Sequence, residues 1–490
     1  MFEPPDLPPA DPATAARSTA DATTTIADPP TANRSTANRP TANRSTGDRS
    51  TGDTTAADHR PGDRSTADSA AAVLPAAALT AIARAAADPA TADPRTAARA
   101  FITLAGVRRW VARQGEIAHH AATGPRAGQA VRQRHVIERA LARLAGGAHP
   151  TGPAERHIAA LAAAAVALST RLSPAGQVRL AETIDAGLAG EATLIPLFHL
   201  LRTAALHRAR GFAVRFAKLE EATAFDLLLS RGTAEAEVVC DVVSAEQGRP
   251  LPRGAWLRLA DRIDADLQTW LAAHPGRYLL KMTLPDGLAG DDPDGAALAA
   301  LHARIRDMLA RSARTEQDAA VVLRLDPLLL AGAQAEPAGL MTLLRREFGP
   351  EAHLAAITAG RGSAAGGLFI LAARTGREDE VAGALARRMA ELAPTRLSGT
   401  RPGILAMFVE DTDRAEWRSL RERLQLEGKT RQFLTHPEAQ PVVAITCASR
   451  LELFGLEPLD AAEGGELRFR NPAHPAAHWA ALAPAVLSSV

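Results

Sequence analysis

Five carboxylates lie in the stretch AFDLLLSRGTAEAEVVCDVVSAEQGR, residues 224–249, and three of them, Asp226, Glu237 and Asp241, are spaced to act together. Metal-dependent cleavage of a phosphodiester needs such groups, because Mg²⁺ takes hard oxygen ligands and water in near-octahedral geometry. It also needs a positive group beside the attacking water and the charged phosphate. Successive strand residues point to opposite faces, so positions 237, 239 and 241 share one face, each about 6–7 Å from the next. Asp226 opens the preceding strand-like run. Asp226, Glu237 and Asp241 could therefore form an all-carboxylate metal site, with Lys218 or Arg249 supplying positive charge. The position between the two later acids is Val239, which cannot ligate a metal.

A second kind of chemistry is phosphate contact without reaction. Between Pro196 and Lys218 stand Arg202, Arg208, Arg210, Arg215 and Lys218 with two histidines and no acid, and Arg249 follows the third strand. A helix and strand so biased can rest against phosphates, or can simply present a basic outer face to water. The same pair of readings applies to Arg108–Arg143, with eight arginines against two acids. The chain as a whole, at +1, has no global pull on polyanions. Its three lysines, Lys218, Lys281 and Lys429, stand beside more than fifty arginines, a bias expected from GC-rich coding.

Other signals carry less. The glycine-rich run at 359–373 lacks the Gly-Lys-Ser/Thr ending of a phosphate loop and leads into a strand. His119 and His120 are adjacent, not one turn apart, so they do not share a helix face as a ligand pair would. Cys240 and Cys447 offer neither zinc spacing nor a disulfide framework, which suits a reducing, cytoplasmic setting. The most apolar window, residues 157–172, is short of the roughly 20 residues of a membrane span. It reads as a buried alanine-rich helix, and no membrane partner is expected.

The elements that must position these residues follow from periodicity. Residues 1–72 form a low-complexity tail with a five-residue repeat (TANRSTANRPTANRS), expected to be disordered. Residues 73–190 show apolar residues three and four apart, a helical segment, with Ser173 and Pro174 set to open its last helix. Residues 191–290 read α-β-β-β-α-β, punctuated by Gly211, Gly232 and the HPGR turn at 274–277. Residues 291–490 continue as mixed α/β, either a second sheet or an extension of the first. Asp411 or Asp413 is placed to cap the helix that follows GILAMFVED.

The order α-β-β-β-α-β, with FDLLL followed by AEVVCDVVSAEQGR, resembles the PD-(D/E)xK, or restriction-endonuclease-like, superfamily, and within it bacterial nuclease-like proteins. The resemblance covers residues 195–285. It implies an α/β restriction-endonuclease-like core in which Asp226 is the metal-binding aspartate, while Cys240, Ser244 and Gly248-Arg249 match the flanks of the third strand. It also implies a glutamate and a lysine where this chain has Val239 and Asp241, and a helix glutamate where His199 and Arg202 stand. The expected function is a nuclease-like protein without its catalytic pair, acting as a nucleic-acid-binding or scaffolding module on DNA or RNA, with no cofactor. Two alternatives stay open: an active Mg²⁺-dependent nuclease using Asp226, Glu237 and Asp241, and a structural or protein-interaction protein without nucleic acid.

Overall fold

The computed structural model describes residues 93–288, 295–327, 337–349, 352–358, 367–453 and 466–488. The repeat tail and the glycine-rich run at 359–366 lie outside the described residues. The described chain is mixed α/β, with 16 helices and two mixed sheets. No described helix is long and apolar enough to cross a membrane.

Helices α1 (Pro94–Ala105), α2 (Val107–His120), α3 (Pro125–Arg134), α4 (Val136–Ala145), α5 (Pro153–Ser169) and α6 (Pro174–Gly187) lie in the stretch read as helical, and α7 (Ile195–Ala209) opens the segment that follows it. Helix α6 begins as its sequence suggests: the Ser173 hydroxyl accepts from Gly176 N at 3.1 Å, and Pro174 occupies the first turn. The alanine-rich window is helix α5, with ten of its residues buried.

The first sheet contains β1 (Ala213–Arg215), β2 (Leu227–Arg231), β3 (Ala234–Ser244), β9 (Gly403–Glu410), β10 (Val442–Ser449) and β11 (Leu467–Arg470), in that spatial order. Gly232, at φ 60°, makes the tight turn between β2 and β3. Strand β2 runs antiparallel to both β1 and β3, strands β3, β9 and β10 are parallel, and β11 returns antiparallel. Alternation divides β3 cleanly. Ala236 and Val238 enter the core shared with the N-terminal helices, whereas Val239 and Val243 enter the core on the opposite face.

That opposite face is covered by α12 (Val381–Arg396), α13 (Arg414–Glu422) and α14 (Gln425–Phe433). Asp413 caps α13, accepting from Glu416 N at 2.9 Å. The result is a three-layer arrangement, helices on both faces of a mostly parallel centre.

The strand expected to close the module does not join this sheet. Residues Arg277–Leu284 form β4, the centre of a second sheet with order β5-β6-β4-β8-β7, where β5 is Thr315–Gln317, β6 Val322–Pro327, β7 His353–Thr358 and β8 Leu368–Thr375. The free edge of β3 is taken instead by β9, which pairs with it from Glu237↔Gly403 to Ser244↔Glu410. Helix α9 (Arg253–Ala273), which precedes β4, packs with α10 (Ala296–Ala310) on one face of the second sheet. Helix α11 (Pro337–Phe348) lies on the other. The second sheet is thus an insertion between β3 and α12. The C-terminal strands split, β6 and β8 building the second sheet while β9 and β10 extend the first.

The exit from β3 shows why a glycine stands there. Gly248 O accepts from Glu380 N at 2.7 Å, and a Cβ on Gly248 would lie 2.6 Å from the backbone of Val381. The start of α12 can approach β3 this closely only where there is no side chain.

Candidate functional site

Asp226, Glu237, Val239 and Asp241 all lie on the sheet face toward α12. Asp226 immediately precedes β2, and its N–H donates to Val238 O at 2.9 Å, continuing the β2–β3 ladder. Leu228, two residues on, belongs to the core beneath α12, so Asp226 has the same facing. The antiparallel register sets Asp226 beside Val239. Sequence spacing therefore gave the shared face correctly.

Each carboxylate has its own partners. The Asp226 side chain is 8% exposed. Arg396, at the end of α12, donates from one Nη2 to both carboxylate oxygens at 3.1 and 3.0 Å, and its Nε donates to Ala224 O. Cys240 N donates to Asp226 Oδ2 at 2.8 Å, and Lys218 Nζ stands 3.5 Å from Oδ1. Glu237 is fully buried. It accepts from Ser398 N at 2.8 Å, Ser398 Oγ at 2.6 Å and Arg401 Nη1 at 3.4 Å. Asp241 receives a two-pronged grip from Arg388 of α12, Nε at 2.7 Å and Nη2 at 3.2 Å. These two carboxylate hydrogen bonds push the Arg388 pKa upward.

Val239 is completely buried, packed with Val243, Leu405, Met407, Met389 and Leu392. The arrangement does not fit Mg²⁺: the position nearest Asp226 is hydrocarbon, and guanidinium groups take the lone pairs a metal would need. Among the described residues no three His, Cys, Asp or Glu side chains cluster as a metal site.

The basic residues divide in two. Arg202 and Arg210 converge on the buried Glu466, at 3.5 and 2.6 Å. Burial alone would raise the Glu466 carboxyl, but the two arginines outweigh it and hold it below the usual carboxylate range. Arg249 is buried and joins Glu246 to Glu416 while donating to Asp411 O at 3.1 Å, so it ties the β3 exit to α13. Arg208, Arg215 and Lys218 reach the surface. Arg215 pairs with Glu221 at 2.9 Å, and Arg208 lies over the Phe216 ring at 5.3 Å. Arg231, unremarked in the sequence, lies over Phe212 at 5.8 Å. Arg171 is close enough to lower the Arg208 pKa, an effect in which burial is the larger cause.

Where the family pattern has a helix glutamate, His199 hydrogen-bonds Ala406 O at 2.9 Å and is fully buried. Burial pushes its pKa down to about 4, so it is neutral at pH 7. Of the eight arginines between Arg108 and Arg143, several turn inward. Arg113 donates to Gly190 O and Ala192 O, Arg126 pairs with Asp261 and Asp264, and Arg143 pairs with Glu155.

Sequence reasoning missed Arg388, Arg396 and Ser398, because they lie on a helix far along the chain or just past its end. The only available signal was the uncompensated Asp241: an acid on a half-buried strand face requires a partner. No family model, curated protein or solved structure matches the chain.

Proposed function

We propose that this chain is a nuclease-like protein whose divalent-ion pocket is closed by arginine, and that it binds nucleic acid without cleaving it. The observation that carries the reading is Arg396 on Asp226, beside the hydrocarbon of Val239. A guanidinium provides at this carboxylate the positive charge that a metal would otherwise supply, and it cannot activate water.

Topology supports the kinship. Helix α7, strands β1, β2 and β3, helix α12 and strand β9 follow one another in the order α-β-β-β-α-β once the inserted sheet and the short helix α8 (Ala217–Glu221) between β1 and β2 are set aside. The charge pattern is exchanged rather than lost. Where the family carries a cation on the strand and acids around it, this chain carries Asp241 on the strand and Arg388 on the facing helix.

The binding half of the reading rests on Arg171, Arg208 and Arg231. None has a carboxylate partner among the described residues, and two stack on phenylalanine rings, which holds a guanidinium outward at low entropic cost. Retention of the purified chain on DNA and on RNA at rising salt tests it. Binding that weakens with a log–log slope of roughly −0.7 to −0.9 per phosphate contact is expected, with no cleavage when Mg²⁺ is added. Mg²⁺-dependent cleavage would overturn the closed pocket. Absence of retention at low salt would remove nucleic acid and leave a scaffold.

A further inference from the structure

The parallel strands β3, β9 and β10 end together at Ser244, Glu410 and Ser449. In open α/β sheets, the crevice outside the carboxyl ends of such strands is where ligands bind. Here that crevice is a cleft of about 760 Å³, within the range of small-molecule sites. It lies at the opposite end of β3 from Glu237.

Two features at its wall are unexplained by the fold. Thr412 is 5% exposed, lines the cleft, and its hydroxyl has no hydrogen-bond partner among the described residues. A buried hydroxyl left unpaired costs on folding, and a ligand oxygen would satisfy it. Arg258 and Arg414 line the same cleft, are exposed, and have no carboxylate within ion-pair distance among the described residues. The cleft's other charges are largely matched. Asp411 accepts from Ser244 Oγ at 2.6 Å and faces Arg134 at 3.6 Å, and Asp413 caps α13 and pairs with Arg253.

Backbone strain marks the same place. Asp411 has φ 61°, the left-handed region that non-glycine residues seldom occupy. It turns the chain sharply at the end of β9 and brings Thr412 against the cleft. Such strain persists where surrounding contacts hold it, commonly at ligand sites.

We propose that this cleft binds a small organic phosphate, with Arg258 and Arg414 gripping the phosphate oxygens and the Thr412 hydroxyl donating to one of them. Two unpaired guanidinium groups match a dianion, and their planar donors suit its geometry. The site is independent of the Asp226 face and of the nucleic-acid reading.

The test follows the thermal unfolding of the full chain in glycerol phosphate and in inorganic phosphate, against sodium chloride of equal ionic strength. A saturable rise in midpoint in both phosphates, absent in chloride, is expected. The double variant Arg258→Ser/Arg414→Ser should bind at least about tenfold more weakly, since each charge-assisted hydrogen bond is worth about a factor of ten. Thr412→Val should bind more weakly while its midpoint in chloride is no lower than the wild type's, because the unpaired buried hydroxyl is gone. Both arginines are exposed, so an unchanged midpoint in chloride certifies that the double variant folds. Equal phosphate shifts in wild type and double variant, or equal shifts in phosphate and chloride, would overturn the proposal. Protection by a short oligonucleotide but by neither small phosphate would overturn it too.

Discussion

Arg396 and Asp226 form an ion pair in which one guanidinium nitrogen lies 3.1 and 3.0 Å from the two carboxylate oxygens, with the acid nearly buried. Removing one member of such a pair costs far more than the pair is worth, because it strands a charge in a poorly solvated place. Arg396→Ala should lower unfolding stability by about 2–4 kcal/mol, given that Lys218 still stands nearby. Urea midpoints measure this. Arg396→Ala combined with Asp226→Asn should recover part of the loss, and failure to recover would mean the arginine acts mainly through its contact with Ala224.

Val239 offers a sharper probe. Val239→Glu places a second carboxylate beside Asp226 in a dry core, at a cost of several kcal/mol. In the background Arg396→Ala, the two acids would repel with no guanidinium between them. Mg²⁺ should then raise the midpoint of this double variant while leaving the wild type unmoved. A variant that is equally unstable with and without Mg²⁺ would show that the face has no memory of a metal.

Acid should weaken the fold before ordinary carboxylates titrate. Burial holds His199 and His207 at about 4 and His353 at about 3, all below the usual 6.5. The unfolded chain therefore takes up protons that the folded chain refuses. Stability is fully present above pH 6.5 and falls as pH drops toward 4, by about 3 kcal/mol for each of His199 and His207. His199→Gln should flatten that limb by one proton in a pH series of denaturant midpoints. A slope unchanged from wild type would refute the assignment.

Glu410 works in the other direction. Burial, followed by the neighbouring Asp411, raises its carboxyl to about 7 against an ordinary 4.5. The folded state holds a proton that the unfolded state has lost, so stability falls as pH rises from 4.5 to 7. Glu410→Gln removes that loss and keeps an acceptor for the Thr193 hydroxyl, which now donates to Glu410 at 3.3 Å. It should be more stable than wild type above pH 7, by about 2–3 kcal/mol, and equal to it below pH 4.5.

Neither thiol should react in the native state. Burial raises Cys447 to about 12 and lifts Cys240 well above its ordinary value, the Asp226 charge adding to the latter. Labelling with a disulfide reagent at pH 8 should be negligible until denaturant is added, when two equivalents react.

Much of the local structure was legible in particular residues. The alternation of Glu237, Val239 and Asp241 against Ala236, Val238 and Cys240 placed the acids on one face, and Asp226 is where the strand pattern put it. Ser173 and Asp413 cap the helices they precede. What could not be read was which strand lies beside β3. Sequence order favoured Arg277–Leu284, yet the apolar run Gly403–Glu410 serves equally well, and local periodicity holds no term for distant partners. The same limit hid Arg388 and Arg396. The short strands β5 and β11 gave too few residues for alternation to register.

The inserted sheet also has a consequence for biosynthesis. As the chain leaves the ribosome, β3 emerges with one edge satisfied by β2 and the other bare, and its true neighbour is not made until the whole insertion has been translated. The nascent protein must carry a sticky ribbon of unpaired amides and valines through that interval, so its yield in a cell should depend on chaperone supply more steeply than its final stability would suggest.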